Sequence, residues 1–452
     1  MTLLKNFQKD YKGKKILILG LGLLGGGVND AALFAKIGAK LRVTDLKSKD
    51  ELESSLEKLK KFPIEYALGR HRNEDILWAD VIVRNPAIPK DSPFLQFAKK
   101  HNKKIVVGES LFIEYFGSQK VIGVTGTRGK TTTATWIYQL LKNAGLKVHL
   151  AGNIQGVGTL SLLEKAEKDD FIVLELSSWQ LEGFKKIKMS PQFAVITSIY
   201  EDHLNRYSSM KEYIESKKPI FQYQTKNDFL IANRDQVSVR QLAREAKSNL
   251  IWFSKKDCPS DWQLKLKGHH NQFNAAAVIK VGEILNIPQA QIQKTITSFT
   301  GVPFRLERIV EIDGVEYFND TTSTTPAAGI AALESFQKPI VLIAGGNSKN
   351  LNMLDFGQKI AKVVRSVIFL QGTETENLSN IVTKSGGMNK IAGFFDKLEK
   401  AIKKAKSIAK KGDLVLFSPG CTSFGMFKNE FDRGEQFNKI VMSLKNAPKK
   451  NP

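Results

Sequence analysis

Cysteine is scarce in this chain of 452 residues: Cys258 and Cys421 lie far apart, with no CxxC and no Cys/His cluster of zinc spacing. A disulfide framework and a structural zinc site are therefore not supported. Long apolar runs are lacking too. The most apolar stretch, Ile16 to Val28, spans 13 residues and holds five glycines, whereas a membrane helix needs about 20 apolar residues. It also lacks a small-residue cleavage site for export. Although Lys and Arg number 68 against 45 Asp and Glu, a net charge of +23, there is no RNP-like motif and no concentrated basic helix. Lysines are spread along the chain in pairs such as Lys60-Lys61 and Lys185-Lys186, which reads as a solvated basic surface. The expectation is a cytoplasmic protein with no nucleic-acid partner and no integral membrane segment.

With 42% hydrophobic residues, disorder is excluded. At about 100–200 residues per domain the length suggests two to four domains, and three are expected.

The chain opens as an α/β protein. Lys15-Ile-Leu-Ile-Leu19 reads as a buried strand, followed by Gly20-Leu-Gly22-Leu-Leu-Gly25 and a helical stretch. A second strand, Lys40 to Thr44, ends at Asp45. Strand, GxGxxG, helix, strand and acid form a dinucleotide-binding fingerprint. Alone it would fit a nicotinamide dinucleotide, another diphosphate, or a tight turn with nothing bound.

A second phosphate cradle follows. The strand Lys120 to Thr125 opens into Gly126-Thr127-Arg128-Gly129-Lys130-Thr131-Thr132-Thr133 and then a helix. Small residues let backbone N–H groups wrap phosphate oxygens, Lys130 neutralises the terminal phosphates, and the Thr131 hydroxyl can hold Mg²⁺. ATP is the expected ligand. Two phosphate sites in one chain disfavour a simple dehydrogenase.

Downstream strands end in polar residues, as when a parallel sheet turns its C-terminal edge to a ligand. Glu175 follows Phe171-Ile-Val-Leu and is either a solvated strand end or a metal ligand. His203, after Glu201 and Asp202, is a candidate functional histidine.

These segments together resemble the Mur ligase family, and its glutamate-adding members above all. The resemblance runs in order along nearly the whole chain. It includes Gly152-Asn153-Ile154, Glu175 to Glu182, Glu201-Asp-His203, Gly268 to Ala275, Pro303 to Glu307, Asn319-Asp320, Gly345 to Lys349, and Leu416 to Gly434.

It implies three domains: a Rossmann-like one over residues 1–116 holding the UDP part of the substrate, a central P-loop ATPase with a mostly parallel sheet over 117–301, and a Rossmann-like C-terminal one over 302–452 for the incoming amino acid. The implied reaction adds D-glutamate to UDP-N-acetylmuramoyl-L-alanine. ATP converts the alanyl carboxylate to an acyl phosphate, which the amine then attacks. Cations relieve the repulsion between two approaching anions.

The resemblance further implies two Mg²⁺ ions, one near Thr131 and Glu175, the other near Glu175 and His203. It implies a carbamylated lysine at Lys217, favoured over Lys218. Without it, Lys217 reads as a solvated helix lysine. Carried over as nucleotide contacts are Asn271, Asn274, Arg305 and Asp320, the last at the ribose or a hinge. Helix capping and a surface ion pair are the plain alternatives for the asparagines and for Arg305. Leu23, Leu24, Asp45, Lys47 and Asn85 match positions around uracil and diphosphate. Asn153 would fix the substrate, and Thr324, Lys349 and Ser423 would hold the carboxylates of glutamate. The enzyme is expected to act as a monomer.

The chain departs from the family's pattern where specificity should lie. Thr322 stands where a lysine is common, Glu430 where Phe is frequent, and Asn205 where an acid is frequent. A ligase adding L-glutamate to the same substrate therefore competes. A folylpolyglutamate-synthase-like enzyme would not need the first GxGxxG domain. A non-catalytic binding protein would leave Glu175, His203 and Lys217 without a role.

Overall fold

The computed structural model describes residues 2–446 except 24, 155, 203–205, 267, 349–350 and 424–425. Among the described residues the chain forms an α/β fold with three sheets, divided between two compact units. The first unit comprises residues 1–263 and 272–298, the second residues 264–271 and 299–452.

The first sheet of the first unit holds β1 (Lys15–Leu19), β2 (Lys40–Asp45), β3 (Ile64–Leu68), β4 (Val81–Arg84) and β5 (Lys104–Val106). All run parallel in the order β3-β2-β1-β4-β5. Strands this apolar suit a sheet covered on both faces. The helix Leu3–Tyr11 buries Leu3, Phe7 and Tyr11 along one side. The order reverses between β1 and β4, so their C-terminal ends flank a crevice.

The second sheet contains β6 (Val121–Thr125), β7 (Val148–Gly152), β8 (Phe171–Glu175), β9 (Phe193–Ile196), β10 (Phe229–Asn233) and β11 (Asn249–Phe253). Its order is β11-β10-β9-β6-β8-β7, again parallel. Thus β6, which feeds the Gly126 turn, has β8 on one side and β9 on the other. One apolar cluster runs from Phe7 and Phe34 to Leu174 and Ile196, joining both sheets in a continuous core.

In the second unit, β12 (Glu307–Ile312), β13 (Val315–Asn319), β14 (Ile340–Ala344), β15 (Ser366–Leu370), β16 (Ile391–Phe395) and β17 (Leu414–Phe417) pair in the order β12-β13-β17-β14-β15-β16. Only β12 and β13 are antiparallel, joined through Asp313 and Gly314 at φ 52° and 76°. That Asp-Gly pair suits a two-residue hairpin turn. Separate apolar clusters cover the sheet's two faces. No helix among the described residues is long and apolar enough to cross a membrane.

Candidate active site

The turn after β6 is held from its neighbours. Thr127 N–H donates to the Ser198 carbonyl at 2.6 Å. The Arg128 carbonyl accepts from Thr197 Oγ1 at 2.6 Å and Ser198 Oγ at 3.1 Å, and Arg128 N–H returns to Ser198 Oγ. Thr197 and Ser198, directly beyond β9, belong to no phosphate-binding motif in the sequence; their one signal there is a polar Thr-Ser pair closing an apolar run. The helix Lys130–Asn143 follows, its cap Gly129 at φ 80°. A Cβ at Gly129 would meet Asn274 Oδ1 at 2.4 Å, and Thr133 Oγ1 donates to that same oxygen at 3.3 Å. Lys130, Thr131 and Thr132 form the helix's first turn, where free N–H groups and the helix dipole favour an anion. Lys130 Nζ donates to the Thr127 carbonyl at 3.0 Å.

Glu175, the last residue of β8, is 1% exposed. Its Oε1 accepts from Asn153 Nδ2 at 3.2 Å, while Oε2 has no partner among the described residues. A buried carboxylate oxygen left open costs free energy unless something charged meets it. With the phosphate turn on the adjacent strand, this donor set fits a hard divalent cation. Gly152 allows the approach: at φ 92°, a Cβ there would lie 2.1 Å from the Glu175 carbonyl.

Lys217 is not the solvated helix lysine of the plain reading. The helix Met210–Glu215, capped by Ser209 Oγ, ends just before it, and the chain turns Lys217 inward until it is 1% exposed. Its Nζ lies 4.3 Å over the Tyr213 ring and 3.4 Å from the Gly126 carbonyl. Burial, and then the nearby Lys130 charge, hold this amine well below the ordinary lysine range. Tyr213 OH shares a hydrogen with Thr127 Oγ1 at 3.0 Å, tying helix to turn. Lys218 instead pairs with Glu245 and Glu215 and is pushed upward, chiefly by its bond to Glu245.

At the crevice of the first sheet, Asp45 Oδ2 accepts from Gly22 N–H and Oδ1 from Lys47 N–H, both at 2.9 Å. The acid of the fingerprint thus braces its own glycine turn. Asn85 follows β4, its Oδ1 accepting from Ala87 N–H at 3.0 Å. Leu23 and Lys47 are half-buried at the same edge. Arg206, largely buried, donates to the carbonyls of Pro86, Ala87 and Ile88 and stacks 4.3 Å over Trp179.

In the second unit, Asp320 Oδ1 accepts from Leu306 N–H and Oδ2 from Ser418 Oγ. Both oxygens are thus engaged within the second unit. Arg305 is exposed, and the ion pairing weighed for it falls to Arg308, with Glu311 and Glu316. Asn271 is buried and Thr324 half-buried. Ser423 is 4% exposed, its Oγ lacking a partner among the described residues. Arg433, also buried, donates to Thr321 Oγ1 and to the carbonyls of Thr321 and Cys421. Leu24, His203, Asn205 and Lys349 lie outside the described residues.

Three family models match the chain in sequence order: "Mur ligase MurD-like, N-terminal domain" over residues 14–107, "Mur ligase middle domain" over 124–293, and "Mur ligase, glutamate ligase domain" over 304–421. A protein of Roseiflexus sp. named UDP-N-acetylmuramoylalanine--D-glutamate ligase is 37% identical, the match covering 96% of this chain and 99% of that one. One of the same name from Borreliella burgdorferi (strain ZS7) is 36% identical, with the same coverage. Among solved structures, the UDP-N-acetylmuramate-alanine ligase MurC of Thermotoga maritima superposes with TM-score 0.65 at 18% identity, over 96% of this chain and 100% of that one. The Thermotoga maritima MurF ligase in complex with ADP gives 0.60 at 20% identity, over 97% of each.

Proposed function

The chain belongs to the Mur ligase family, an ATP-dependent ligase family of muramyl peptide synthesis, and on that premise we propose that it joins D-glutamate to UDP-N-acetylmuramoyl-L-alanine. The reaction spends ATP and releases ADP and phosphate. The observation that carries the reading is the buried Glu175 carboxylate with one open oxygen, one strand away from a phosphate turn.

Residues 1–116 would take the UDP substrate, 117–301 ATP and 302–452 glutamate. Leu23, Leu24, Asp45, Lys47 and Asn85 would take the uridine diphosphate end. Gly126 to Thr132 wrap the triphosphate, Lys130 neutralising its terminal charge. Asn271, Asn274 and Arg305 would be further nucleotide contacts, as the family resemblance implies, with Asp320 at the ribose or the hinge. Asn153 orients Glu175 and the acceptor. Mg²⁺ held by Thr131, Glu175 and His203 would supply positive charge where the acceptor carboxylate meets the γ-phosphate. That carboxylate attacks phosphorus and ADP departs. The amine of glutamate then attacks the acyl carbon of the resulting acyl phosphate, and phosphate leaves.

A neutral amine is what captures CO₂, and burial, then the charge of Lys130, shifts Lys217 toward that form. Its carbamate would place an anion beside Lys130 in place of a second cation. Lys218, ion-paired, lacks that advantage. Thr324, Lys349 and Ser423 would receive the two carboxylates of glutamate, the open Ser423 hydroxyl being one donor.

Phosphate release measured with UDP-N-acetylmuramoyl-L-alanine and either D-glutamate, L-glutamate or no amino acid tests the proposal. Release that depends on D-glutamate supports it. Preference for L-glutamate would replace the amino acid, and release indifferent to both would end the ligase reading.

A further inference from the structure

A small cavity lies between the end of β4, the helix Pro93–Lys100 and the helix Ser178–Ile187, all within the first unit. Four cations line it, Arg84, Lys90, Lys99 and Lys186, against the single lining carboxylate of Glu182. Arg84 is 5% exposed and forms part of the wall, its Nη2 2.8 Å from Glu182 Oε2. Glu182 is already shared, since Arg206 approaches its other oxygen at 3.6 Å. Lys90 pairs with Glu212.

Among the described residues neither Lys99 nor Lys186 has a carboxylate within ion-pair distance. Lys99 Nζ donates to the Lys90 carbonyl at 3.3 Å and Lys186 Nζ to the Ile105 carbonyl at 3.4 Å, long bonds to neutral groups. The surrounding protein, and then the charges of Arg84 and Lys99, push the Lys186 amine down, with Glu182 opposing them in part. An excess of positive charge around a recess raises the local concentration of anions. The recess has a volume of about 50 Å³, above the roughly 10–15 Å³ that a single water requires. A five-atom oxyanion is of that size.

We propose that this cavity binds a small tetrahedral oxyanion of the phosphate class, seated against Arg84 and capped by Lys99 and Lys186. The inference stands apart from the ligase reading, because its readout is anion binding and not turnover.

Inorganic phosphate is titrated into the full-length protein at constant ionic strength, with sodium chloride as the balancing salt, while the melting temperature is followed. The wild type should show a saturable rise, and a saturable rise should persist in Lys130→Met, where the nucleotide turn has lost its cation. In Lys99→Met/Lys186→Met the apparent affinity should fall at least tenfold. Both lysines are exposed, and melting without phosphate checks that the double variant folds. The proposal is overturned if chloride alone gives an equal rise, if the double variant responds like the wild type, or if no rise occurs. Loss of the effect in Lys130→Met would assign the phosphate to the nucleotide turn and also overturn it. A crystal soaked in selenate should show anomalous density beside Arg84; its absence there counts equally against the site.

Discussion

Asn153 grips Glu175 twice: its backbone N–H donates to the Glu175 carbonyl at 2.8 Å and its side-chain amide to Oε1 at 3.2 Å. The carboxylate is thereby turned so that Oε2 remains open. A group that orients a ligating carboxylate acts on activity without touching the reacting atoms.

Asn153→Ala should therefore lower activity or Mg²⁺ affinity by about 10–100-fold and, by taking the partner from the buried Glu175 Oε1, cost about 1–3 kcal/mol of stability. Steady-state rates across a Mg²⁺ titration check this. Rates indifferent to the substitution would show that Glu175 needs no orientation.

Lys217→Ala should abolish turnover, with partial rescue by added short carboxylates that replace the lost anion. A fully active variant would refute the carbamate. Incubation of the wild type with ¹³C-labelled CO₂ should give a carbamate carbon signal that this variant lacks.

Stability should also depend on pH through Lys217. Its folded-state pKa lies below the ordinary 10.5, so between those values the unfolded chain binds the extra proton. Stability from this residue therefore rises with pH and levels off once the unfolded lysine deprotonates. Lys217→Met should be more stable than the wild type at neutral pH, the difference shrinking as pH approaches 10.5. Denaturant titrations at a series of pH values measure it. A constant gap would contradict the assignment.

Gly129→Ala should destabilise by about 1–3 kcal/mol, since alanine is strained at φ 80°, and should weaken nucleotide binding. The added methyl would also displace Asn274. Melting temperature and ADP titration report the two effects separately.

Arg206→Ala should cost about 1.5–3 kcal/mol per charged hydrogen bond lost and should raise KM for the UDP substrate more than KM for ATP. Arg206 holds the segment from Pro86 to Ile88, next to Asn85. Equal effects on both constants would mean a general loss of fold.

Much of the fold was legible because Ile16–Leu19 of β1 and Phe171–Leu174 of β8 are short, wholly apolar runs closed by Gly20 and by an acid, Glu175. Sheet burial on both faces leaves no other use for such runs. The phosphate turn was legible for a similar reason, as only small residues permit it. The inward turn of Lys217 was not legible, because a lysine beyond a helix carries no local sign of burial; its environment comes from Tyr213 and the distant Gly126 carbonyl. The fingerprint acid Asp45 was legible as a position but not as a role. The same carboxylate that can reach a ribose can brace a turn, and only the bonds to Gly22 and Lys47 separate the two.

Glu175 is the terminal residue of β8, where successive side chains alternate between opposite faces. Pleat parity therefore sets the aim of this acid as much as its chemistry does. A single-codon deletion within residues 171–174 could preserve an apolar, pairing-competent strand and still send the carboxylate to the wrong side. Tolerance to such deletions should thus collapse in β8 while persisting in exposed connections, making reading-frame-preserving gaps a sharper probe of this centre than substitutions.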